Sequence, residues 1–386
     1  MNKRKVCIVL TTRGNYAKMH PVMRAVVADP NLTLQLIVGG DLMLRRYGHN
    51  IIQKISEEFK IDQKISFVIE GENPLTMAKS AGLAVGDFAT AFDNIQPDVV
   101  IVIADRYECL PIAMAASYMN IPVAHIEGGE VSGSIDESIR HAISKLSHIH
   151  FPATRKAADY IERMGEDPKA IFPVGCTSFD LFLSMDYNDS MIWNDLRNNF
   201  GVGDTIDFTK DYLLVIQHPV TTEYEDNFRN INETISAIEE MNMQTVWIWP
   251  NMDAGSDGIS KGIREFRERK NPRNIHFFKS LAIQYFGPLL KNSRCIVGNS
   301  SSGIREASFF GVPSVNIGTR QNGRERAFNV MDAGYQKEEI VSAIHKQLQK
   351  GLYSSSFLFG DGKAADKVVE ILKNYTFTIQ KRISYA

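Results

Sequence analysis

The chain has 386 residues, of which 44% are hydrophobic and 23% are charged, and its formal net charge at pH 7 is −2. This length allows two domains with proper cores, and the small charge without a basic run argues against nucleic acid and anionic membranes as partners. Four cysteines lie far apart with no C-x-x-C pair, so they predict buried thiols in a reducing compartment rather than disulfides or a zinc site. The first apolar run, residues 6–10, is too short for a signal-peptide core or a membrane span, and we expect a cytoplasmic protein.

Apolar runs rich in valine and isoleucine alternate with helix-length segments through the first half of the chain. Helical patterns occupy residues 74–95 and 108–119. Continuous apolar runs separated by helices predict a parallel sheet that is covered on both faces. The predicted strands of this half are residues 6–10, 34–38, 99–103, 123–126, 148–151 and 171–174.

The regular alternation stops in the polar stretch 186–210, where we place a domain boundary. Two successive series of strands and helices predict an α/β fold with two doubly wound Rossmann-type domains and a cleft between them. The second series has predicted strands at 212–216, 245–249, 276–278, 295–297 and 314–317, and helices at 337–350 and 364–375. The predicted limits are 1–186 for the first domain, 187–363 for the second, and 364–386 for a C-terminal helix and tail that packs back on the first.

Polar motifs follow the ends of six predicted strands. Because the carboxyl ends of parallel strands meet at one edge of a sheet, we expect these motifs to line one cleft if the two sheets face each other. Chance explains one or two such endings but not six. The motifs are TTRGNYAK (11–18), ADR (104–106), QHPVTTE (217–223), PNMDAGS (250–256), GNSSSGIRE (298–306) and GTRQNGRE (318–325).

The stretch 123–141, VAHIEGGEVSGSIDESIRH, connects an apolar strand to a helix through a loop that begins with paired glycines. Glu127 stands at the end of the strand, where open α/β sheets place their ligand crevice. Asp136 and Arg140 are four residues apart on the predicted helix and therefore share a face. The pattern indicates two carboxylates and an arginine that converge on one site. A solvated helix start with acidic residues is the simpler alternative.

The motif GNSSSGIRE has the composition of an anion site. Ser300 and Ser301 offer hydroxyls beside the free amides of a helix start, an arrangement that suits a diphosphate. A serine N-cap without any ligand gives the same pattern. Arginines at other strand ends, namely Arg13, Arg106 and Arg320, favour the anion interpretation.

Further polar residues at strand ends have both a functional and a structural interpretation. Glu306 suits the hydroxyls of a ribose, while a solvated carboxylate is the alternative. His218 precedes a proline that holds its ring toward the cleft, although a lone histidine is more often structural. Asp105 ends a strongly apolar strand and is either an acid/base group or a salt-bridged turn. His148 and His150 have no further ligand at metal spacing and are taken as structural. No G-x-G-x-x-G follows the first strand, which argues against a dinucleotide cofactor.

Five motifs in this order, HIEGGEVSGSIDESIRHA, QHPVTTE, PNMDAGS, GNSSSGIRE and GTRQNGRE, resemble those of the hydrolysing UDP-N-acetylglucosamine 2-epimerases of the sialic-acid pathway. The resemblance covers nearly the whole chain. It implies the GT-B fold, with UDP held mainly by the second domain and the sugar facing the first. It also implies a nucleotide-sugar substrate, no metal, no redox cofactor, and a homodimer or homotetramer.

Positions that match the family's motifs imply roles for individual residues. Two departures are visible, because the family often has glycine where Ala104 stands and serine where Ala17 stands. They bear on the identity of the sugar more than on the reaction. By this resemblance the catalytic residues are Asp105, Glu127, Asp136, Arg140 and His218, and the nucleotide-sugar contacts are Arg13, Lys18, Asn251, Ser300, Ser301, Glu306 and Arg320. Arg106 and His218 are also predicted to bind the UDP-sugar, from their positions at strand ends.

The implied chemistry has an elimination and a rehydration. The C2 proton of the resting sugar is not acidic, so departure of UDP leads, and a carboxylate then removes the proton to give 2-acetamidoglucal. A second acid delivers a proton to the opposite face of C2, and water adds at C1 to release N-acetylmannosamine. Which of Asp105, Glu127 and Asp136 is the base stays open at this point.

Several other functions share these motifs. A hydrolysing 2-epimerase of a UDP- or GDP-linked 2,4-diacetamido-2,4,6-trideoxy sugar uses the same chemistry, and a non-hydrolysing epimerase returns UDP-ManNAc. A GT-B glycosyltransferase uses the nucleotide site with an acceptor. A non-catalytic nucleotide-sugar sensor keeps the phosphate motifs but needs no carboxylate cluster, so Glu127 and Asp136 beside Arg140 argue against it. NMR of the product from UDP-GlcNAc without an acceptor distinguishes these functions.

Overall fold

The computed structural model describes residues 3–71, 73–198, 201–251 and 253–384. The strands are β1 (Arg4–Leu10), β2 (Leu32–Val38), β3 (Gln63–Lys64), β4 (Val99–Ile103), β5 (Val123–Ile126), β6 (Ile149–Phe151), β7 (Val202–Gly203), β8 (Tyr212–Ile216), β9 (Gln244–Ile248), β10 (Ile275–Phe278), β11 (Cys295–Gly298), β12 (Ser314–Ile317) and β13 (Val330–Ala333). The helices are α1 (Arg13–Ala28), α2 (Arg45–Glu58), α3 (Pro74–Ile95), α4 (Cys109–Tyr118), α5 (Ile135–Leu146), α6 (Arg155–Arg163), α7 (Ser178–Ser184), α8 (Ser190–Asn198), α9 (Asn227–Met241), α10 (Ser256–Lys270), α11 (Ile283–Asn292), α12 (Ser301–Ile304), α13 (Glu306–Phe310), α14 (Lys337–Lys350) and α15 (Ala364–Asn374).

The strands form two separate sheets. Within the described ranges, the first has six strands in the order β3-β2-β1-β4-β5-β6, and the second has seven in the order β13-β12-β11-β8-β9-β10-β7. Only the β7–β10 pair is antiparallel among the pairs of described strands. We call the first sheet with its helices the first domain, and the second sheet with its helices the second domain. The predicted α/β architecture is therefore confirmed, while the sequence limits of the domains stay predictions.

Both faces of each sheet are buried, as continuous valine and isoleucine runs predict. On β1, Ile8 and Leu10 pack into one core with residues of α1 and α15. Cys7 and Val9 point to the opposite face and pack with residues of α3 and α4. The side chains of β8 divide in the same way between two cores of the second domain. No described helix has the length and hydrophobicity that crossing a membrane requires.

Some predicted elements differ from the structure. The predicted strand at 171–174 is wrong, since Ile171 makes only an isolated bridge to His150 and Pro173 has no amide to continue a ladder. The polar stretch 186–210 contains α8 and the edge strand β7. The edge strand β13 was not predicted, because its half-exposed residues lack a strong apolar pattern.

The chain crosses between the domains twice, and the two crossings pack against each other. The outward crossing lies before α7, and the return crossing lies before α15, which packs on α1 of the first domain. The amide of Cys176 donates to the carbonyl of Phe359 at 2.6 Å. Gly175 and Gly360 meet so closely that a Cβ on Gly360 would lie 2.8 Å from the Gly175 Cα. The C-terminal tail then follows the first domain, where Lys381 pairs with Glu166 at 2.6 Å.

We expect the substitution Gly360→Ala to lower the free energy of unfolding by about 2–4 kcal/mol, because the new methyl meets the facing backbone and the φ angle of +119° disfavours an L side chain. Gly82→Ala is the matched control. Nothing lies within 4 Å of a Cβ at this position of α3, so helix propensity should raise stability by about 0.5–1 kcal/mol. Urea unfolding measures both, and equal effects of the two substitutions would contradict the close packing of the crossings.

Candidate active site

A cavity of about 420 Å³ lies between the two sheets, at the carboxyl ends of their strands. All six polar motifs that follow predicted strands contribute residues to its wall. This is the crevice position that doubly wound sheets use for ligands. The predicted site residues that line it are Arg13, Lys18, Asp105, Arg106, Asp136, His218, Asn251, Ser300, Ser301, Glu306 and Arg320.

Glu127 and Arg140, the other two predicted site residues, lie behind the wall of this cavity. Glu127 is only 1% exposed, and its carboxylate pairs with Lys18 and with Arg305, each at 2.6 Å. Burial raises the pKa of Glu127, but Arg305 and Lys18 lower it more, so the carboxylate stays ionised. Its side chain orients Lys18, which does line the cavity. Arg140 is equally buried and donates to Asp105.

Three buried charged residues that the sequence analysis did not select complete this region. Arg305 and Arg324 come from the second domain, and Glu130 comes from the loop after β5. Arg305 pairs with Glu130, and the Arg324 Nε lies 3.3 Å from a Glu130 oxygen. Each lies inside a motif quoted above. Their full burial next to predicted site residues marks them in the structure, and the sequence does not reveal this burial. We call Lys18, Asp105, Glu127, Glu130, Arg140, Arg305 and Arg324 the interdomain ion cluster.

Two carboxylates with opposite pKa shifts line the cavity on the first-domain side. Burial raises the pKa of Asp105, but Arg140 and Arg324 lower it more, and the net direction is well below its ordinary value. Burial and the neighbouring charge of Asp105 raise the pKa of Asp136 to about 6. Paired carboxylates whose environments separate their pKa values are typical of acid/base sites. The arrangement leaves Asp105 ionised while Asp136 gains and loses a proton near neutral pH.

Arg106 is surrounded by carboxylates rather than held free for a phosphate. Its guanidinium pairs with Asp41 at 3.2 Å, with Glu108 at 2.8 Å, and with Asp253 of the second domain at 2.9 Å. Burial raises the pKa of Glu108 to about 7. Arg106 lines the cavity, but its pairing with Asp253 makes it a second charged link between the domains. A direct contact of Arg106 with substrate stays a prediction.

The serine motif forms two short helices instead of the single helix start that the sequence suggested. The break falls at Arg305, and the Ser300 hydroxyl accepts from the Ser302 amide as an N-cap. Glu306 lies just beyond the break, is 5% exposed and accepts from Ser178 with one oxygen at 3.0 Å. Its other oxygen has no hydrogen-bond partner among the described residues. A buried carboxylate oxygen at a cavity wall is an acceptor that a ligand hydroxyl can satisfy.

His218 is a neutral hydrogen-bond donor. The Asn251 amide donates to its Nδ1 at 3.1 Å, so the ring proton is on Nε2. Burial and then Arg320 lower the pKa of His218 to about 3, which keeps the ring uncharged. Arg320 lies beside it and reaches within 3.7 Å of Asp136, across the domain boundary. The two residues therefore present a neutral and a charged donor to the same region of the cavity.

In the part of the chain that the structure describes, no group of three or more histidine, cysteine, aspartate and glutamate side chains is arranged to hold a metal ion. His150, which the sequence analysis took as structural, is buried and lies 3.1 Å from Glu166, which also binds Lys145 and Lys381. All four cysteines are buried and free, as the sequence predicted.

Comparison with known proteins agrees with this geometry. Residues 24–373 match the family model described as UDP-N-acetylglucosamine 2-epimerase. The chain belongs to this family. The UDP-N,N'-diacetylbacillosamine 2-epimerase (hydrolyzing) of Legionella pneumophila is 35% identical over 370 residues, 96% of either chain. The UDP-N-acetylglucosamine 2-epimerase of Neisseria meningitidis is 32% identical over 386 residues, 98% of either chain.

Solved structures of the 2-epimerase family have the same fold. The chain resembles the crystal structure of UDP-GlcNAc 2-epimerase from Neisseria meningitidis bound to UDP-GlcNAc, with a TM-score of 0.79 and 19% identity. The match covers 95% of this chain and 99% of that chain. The GT-B fold implied by the sequence motifs is therefore confirmed.

We expect kcat/KM of this 2-epimerase family member to fall as the pH drops through about 6, because Asp136 then binds a proton and no longer serves as a base. Asp136→Asn should abolish this limb of the pH profile and lower kcat by roughly 10²–10⁴. Asp105→Asn should shift the limb to lower pH, since the charge of Asp105 is one cause of the raised pKa.

Glu137→Gln is the control for the pH profile. It removes the next carboxylate on the same helix, which accepts from the Ser132 amide and is not part of the cavity wall. The wild-type limb should persist in this variant. A wild-type profile that is flat between pH 5 and 7 would contradict the proposed ionisation of Asp136.

We expect Glu306→Ala to weaken UDP binding by about 1–3 kcal/mol, because a buried charged acceptor at the cavity wall is lost. Ser178→Ala removes the hydroxyl that bonds Glu306 and the Cys176 thiol but keeps the Glu306 carboxylate, so it should retain most of the affinity. Asp136→Asn, across the cleft, should bind UDP nearly as the wild type does. Calorimetry measures all three, and unchanged UDP affinity in Glu306→Ala would remove Glu306 from the nucleotide site.

Proposed function

We propose that the protein is a hydrolysing 2-epimerase that converts UDP-GlcNAc and water into N-acetylmannosamine and UDP. The observation that carries this proposal is the pair of unequally ionised carboxylates, Asp105 and Asp136, in a cavity whose opposite wall holds an unsatisfied carboxylate oxygen of Glu306. One wall has the groups for proton transfer, and the other has an acceptor for a nucleoside hydroxyl. Four buried free cysteines support a cytoplasmic location.

The second-domain wall suits the nucleotide part of the substrate. Glu306 accepts ribose hydroxyls with its free oxygen, and the hydroxyls of Ser300 and Ser301 lie on the same wall beside Arg320. We assign the diphosphate to these donors and to His218, whose neutral ring donates from Nε2. Arginine and hydroxyl donors of this kind stabilise charge that develops on a leaving group.

Departure of UDP is favoured by the cations on the cavity wall, among them Lys18 and Arg320. The interdomain ion cluster contains four cations and three carboxylates, and Glu306 beside Arg305 and Lys18 adds a fourth carboxylate. Lys18 reaches the cavity wall, and its pKa is raised because Glu127 outweighs the effect of burial. As the C1–O bond breaks, its electron pair goes to UDP, and these cations stabilise the diphosphate.

We assign removal of the C2 proton to Asp136, and we assign to Asp105 a role at C1. Asp136, with a pKa near 6, takes the C2 proton as the C1–C2 double bond forms. Inversion then requires a proton on the opposite face of the glucal, while water adds to C1 and loses a proton to a carboxylate. Asp105 stays ionised beside Arg140. It can therefore stabilise positive charge at C1 or accept the proton that the attacking water loses. Glu127 acts indirectly in this scheme, by holding Lys18.

A second candidate substrate is a UDP-linked 2,4-diacetamido-2,4,6-trideoxy sugar. The relative from Legionella pneumophila, named as a hydrolysing 2-epimerase of UDP-N,N'-diacetylbacillosamine, supports it. The first-domain wall also contains the apolar side chains Leu42, Ile51 and Ile103. A methyl group at C6 packs on such a surface better than a hydroxyl does. UDP-GlcNAc stays the first choice because the motifs PNMDAGS and GTRQNGRE resemble those of enzymes acting on it.

We expect EDTA-treated protein to release UDP and N-acetylmannosamine from UDP-GlcNAc without an acceptor, and product made in D₂O to carry deuterium at C2. NMR of the product measures both, because elimination and rehydration replace the C2 proton with one from solvent. The diacetamido sugar nucleotide is assayed beside it as the matched substrate. We expect a higher kcat/KM for UDP-GlcNAc.

Each alternative gives a different result in this experiment. Recovery of UDP-ManNAc supports a non-hydrolysing epimerase, and no turnover without an acceptor supports a glycosyltransferase or a sensor. Product without deuterium at C2 contradicts the elimination route. A roughly hundredfold preference for the diacetamido sugar, about 2.7 kcal/mol of transition-state discrimination, supports the second substrate instead. Activity that disappears with EDTA and returns with a divalent ion contradicts a metal-free reaction.

A further inference from the structure

The ring of His125 holds the backbone of the residue that precedes Asp105. His125 lies on β5, is fully buried, and its Nε2 lies 2.8 Å from the carbonyl oxygen of Ala104. A carbonyl oxygen only accepts, so Nε2 carries the ring proton and donates it. The Nδ1 atom is then left to accept from the Ser144 hydroxyl, 3.1 Å away on α5. Burial lowers the pKa of His125 to about 3, so the ring stays neutral in this tautomer.

Ala104 needs this support because its backbone is strained. Its φ angle is +61°, in the left-handed region that residues with a Cβ rarely adopt. Such a conformation persists when the surrounding structure holds it. The Ala104 amide donates to the Ile126 carbonyl at 2.9 Å, and its carbonyl accepts from His125, so both bonds come from β5. Asp105 is the next residue, and its direction follows from this turn.

The space for the His125–Ser144 pair depends on a glycine. A Cβ at Gly128 would lie 2.6 Å from the His125 Nδ1 and 2.9 Å from the Ser144 hydroxyl oxygen. The loop after β5 therefore leaves room for the two side chains to meet. Gly128 of the motif HIEGGE thus has a packing function in addition to its place in the turn.

We propose that His125, with its tautomer locked by Ser144, is a positioning residue that holds Ala104 in its left-handed conformation and so aims the Asp105 carboxylate at the reacting sugar. This inference rests on the proposed function, because it requires Asp105 to act on the sugar. Arg140 binds the carboxylate end of Asp105, and His125 fixes the backbone end. Loss of the backbone support moves the carboxylate without touching the nucleotide wall.

The test compares His125→Gln with His125→Asn. The side-chain amide nitrogen of glutamine takes approximately the place of Nε2 and can still donate to Ala104, whereas that of asparagine is too short to reach it. We expect His125→Asn to lose about 10²-fold in kcat, the effect of a displacement of about 1 Å in a catalytic group. His125→Gln should recover to within about tenfold of wild type. UDP affinity should be unchanged in both variants.

His150→Asn is the matched control. His150 lies directly opposite His125 on β6, is equally buried, and binds Glu166 rather than a residue of the cavity wall. The His150→Asn variant should have the wild-type kcat once its activity is divided by the fraction of folded protein. Thermal unfolding and UDP binding measure that fraction. A loss of kcat in His150→Asn equal to that in His125→Asn would overturn the proposal.

A double-mutant cycle with Ala104→Gly tests the mechanism of positioning. Glycine adopts a φ angle of +61° without steric cost, so it needs less support from His125. We expect the kcat loss of His125→Asn to be at least about fivefold smaller in the Ala104→Gly background, as coupled sites require. Equal losses in the two backgrounds would overturn the proposal. If His125→Asn does not fold, Ser144→Ala replaces it in the cycle, with an expected kcat loss of about tenfold.

Failure of this inference is distinguishable from failure of the proposed function. A wild-type protein that releases no 2-epimer from either sugar nucleotide overturns the function, and the positioning proposal with it. A wild-type protein that is active, with folded His125→Asn turning over equally fast, overturns the positioning proposal alone. An equal loss of kcat in His125→Gln and His125→Asn also overturns the positioning proposal alone, because a hydrogen-bond donor at the place of Nε2 then does not preserve kcat.

Discussion

Two arginines of the second domain, Arg305 and Arg324, are buried among carboxylates of the first domain. A buried charge without a partner costs several kcal/mol, so each arginine needs the acids that face it. Arg305 bridges Glu127 and Glu130, and Arg324 lies near Glu130 and Asp105. Arg305 and Arg324 therefore meet these carboxylates only when the cleft is assembled. Because the same cluster sets the ionisation of Asp105 and holds Lys18, the relative position of the domains also determines the chemistry of the cavity.

The sequence predicted the fold and the position of the cavity because both depend on simple periodic patterns. Buried parallel strands are continuous apolar runs, and polar residues at their carboxyl ends mark the crevice. His218 was predicted because it lies at a strand end, and Glu306 because it lies in the motif that follows another strand. The prediction of a strand at 171–174 was wrong because it rested on the apolar residues of this stretch. Pro173 has no amide hydrogen and cannot continue the hydrogen bonds of a strand. The resemblance to a known family then added residue roles that periodicity alone does not provide.

The pairing of charges could not be predicted, because it depends on contacts between residues that are far apart in the chain. Glu127 is conspicuous at a strand end, yet only its contacts with Lys18 and Arg305 show that it lies behind the cavity wall. The position of Arg106 at a strand end likewise does not reveal its pairing with Asp41, Glu108 and Asp253. The opposite pKa shifts of Asp105 and Asp136 likewise follow from which arginines reach each carboxylate. Motif spacing along the chain contains no information on such distances.

The two chain crossings that meet at Gly175 and Gly360 limit how the domains can move. A single connecting segment would leave one domain free to swivel in any direction about its linker. Here two segments touch, and the Cys176 amide donates a hydrogen bond to the Phe359 carbonyl between them, so each segment limits the movement of the other. The two crossings therefore favour one relative position of the domains, in which Arg305 and Arg324 face the acids of the first domain.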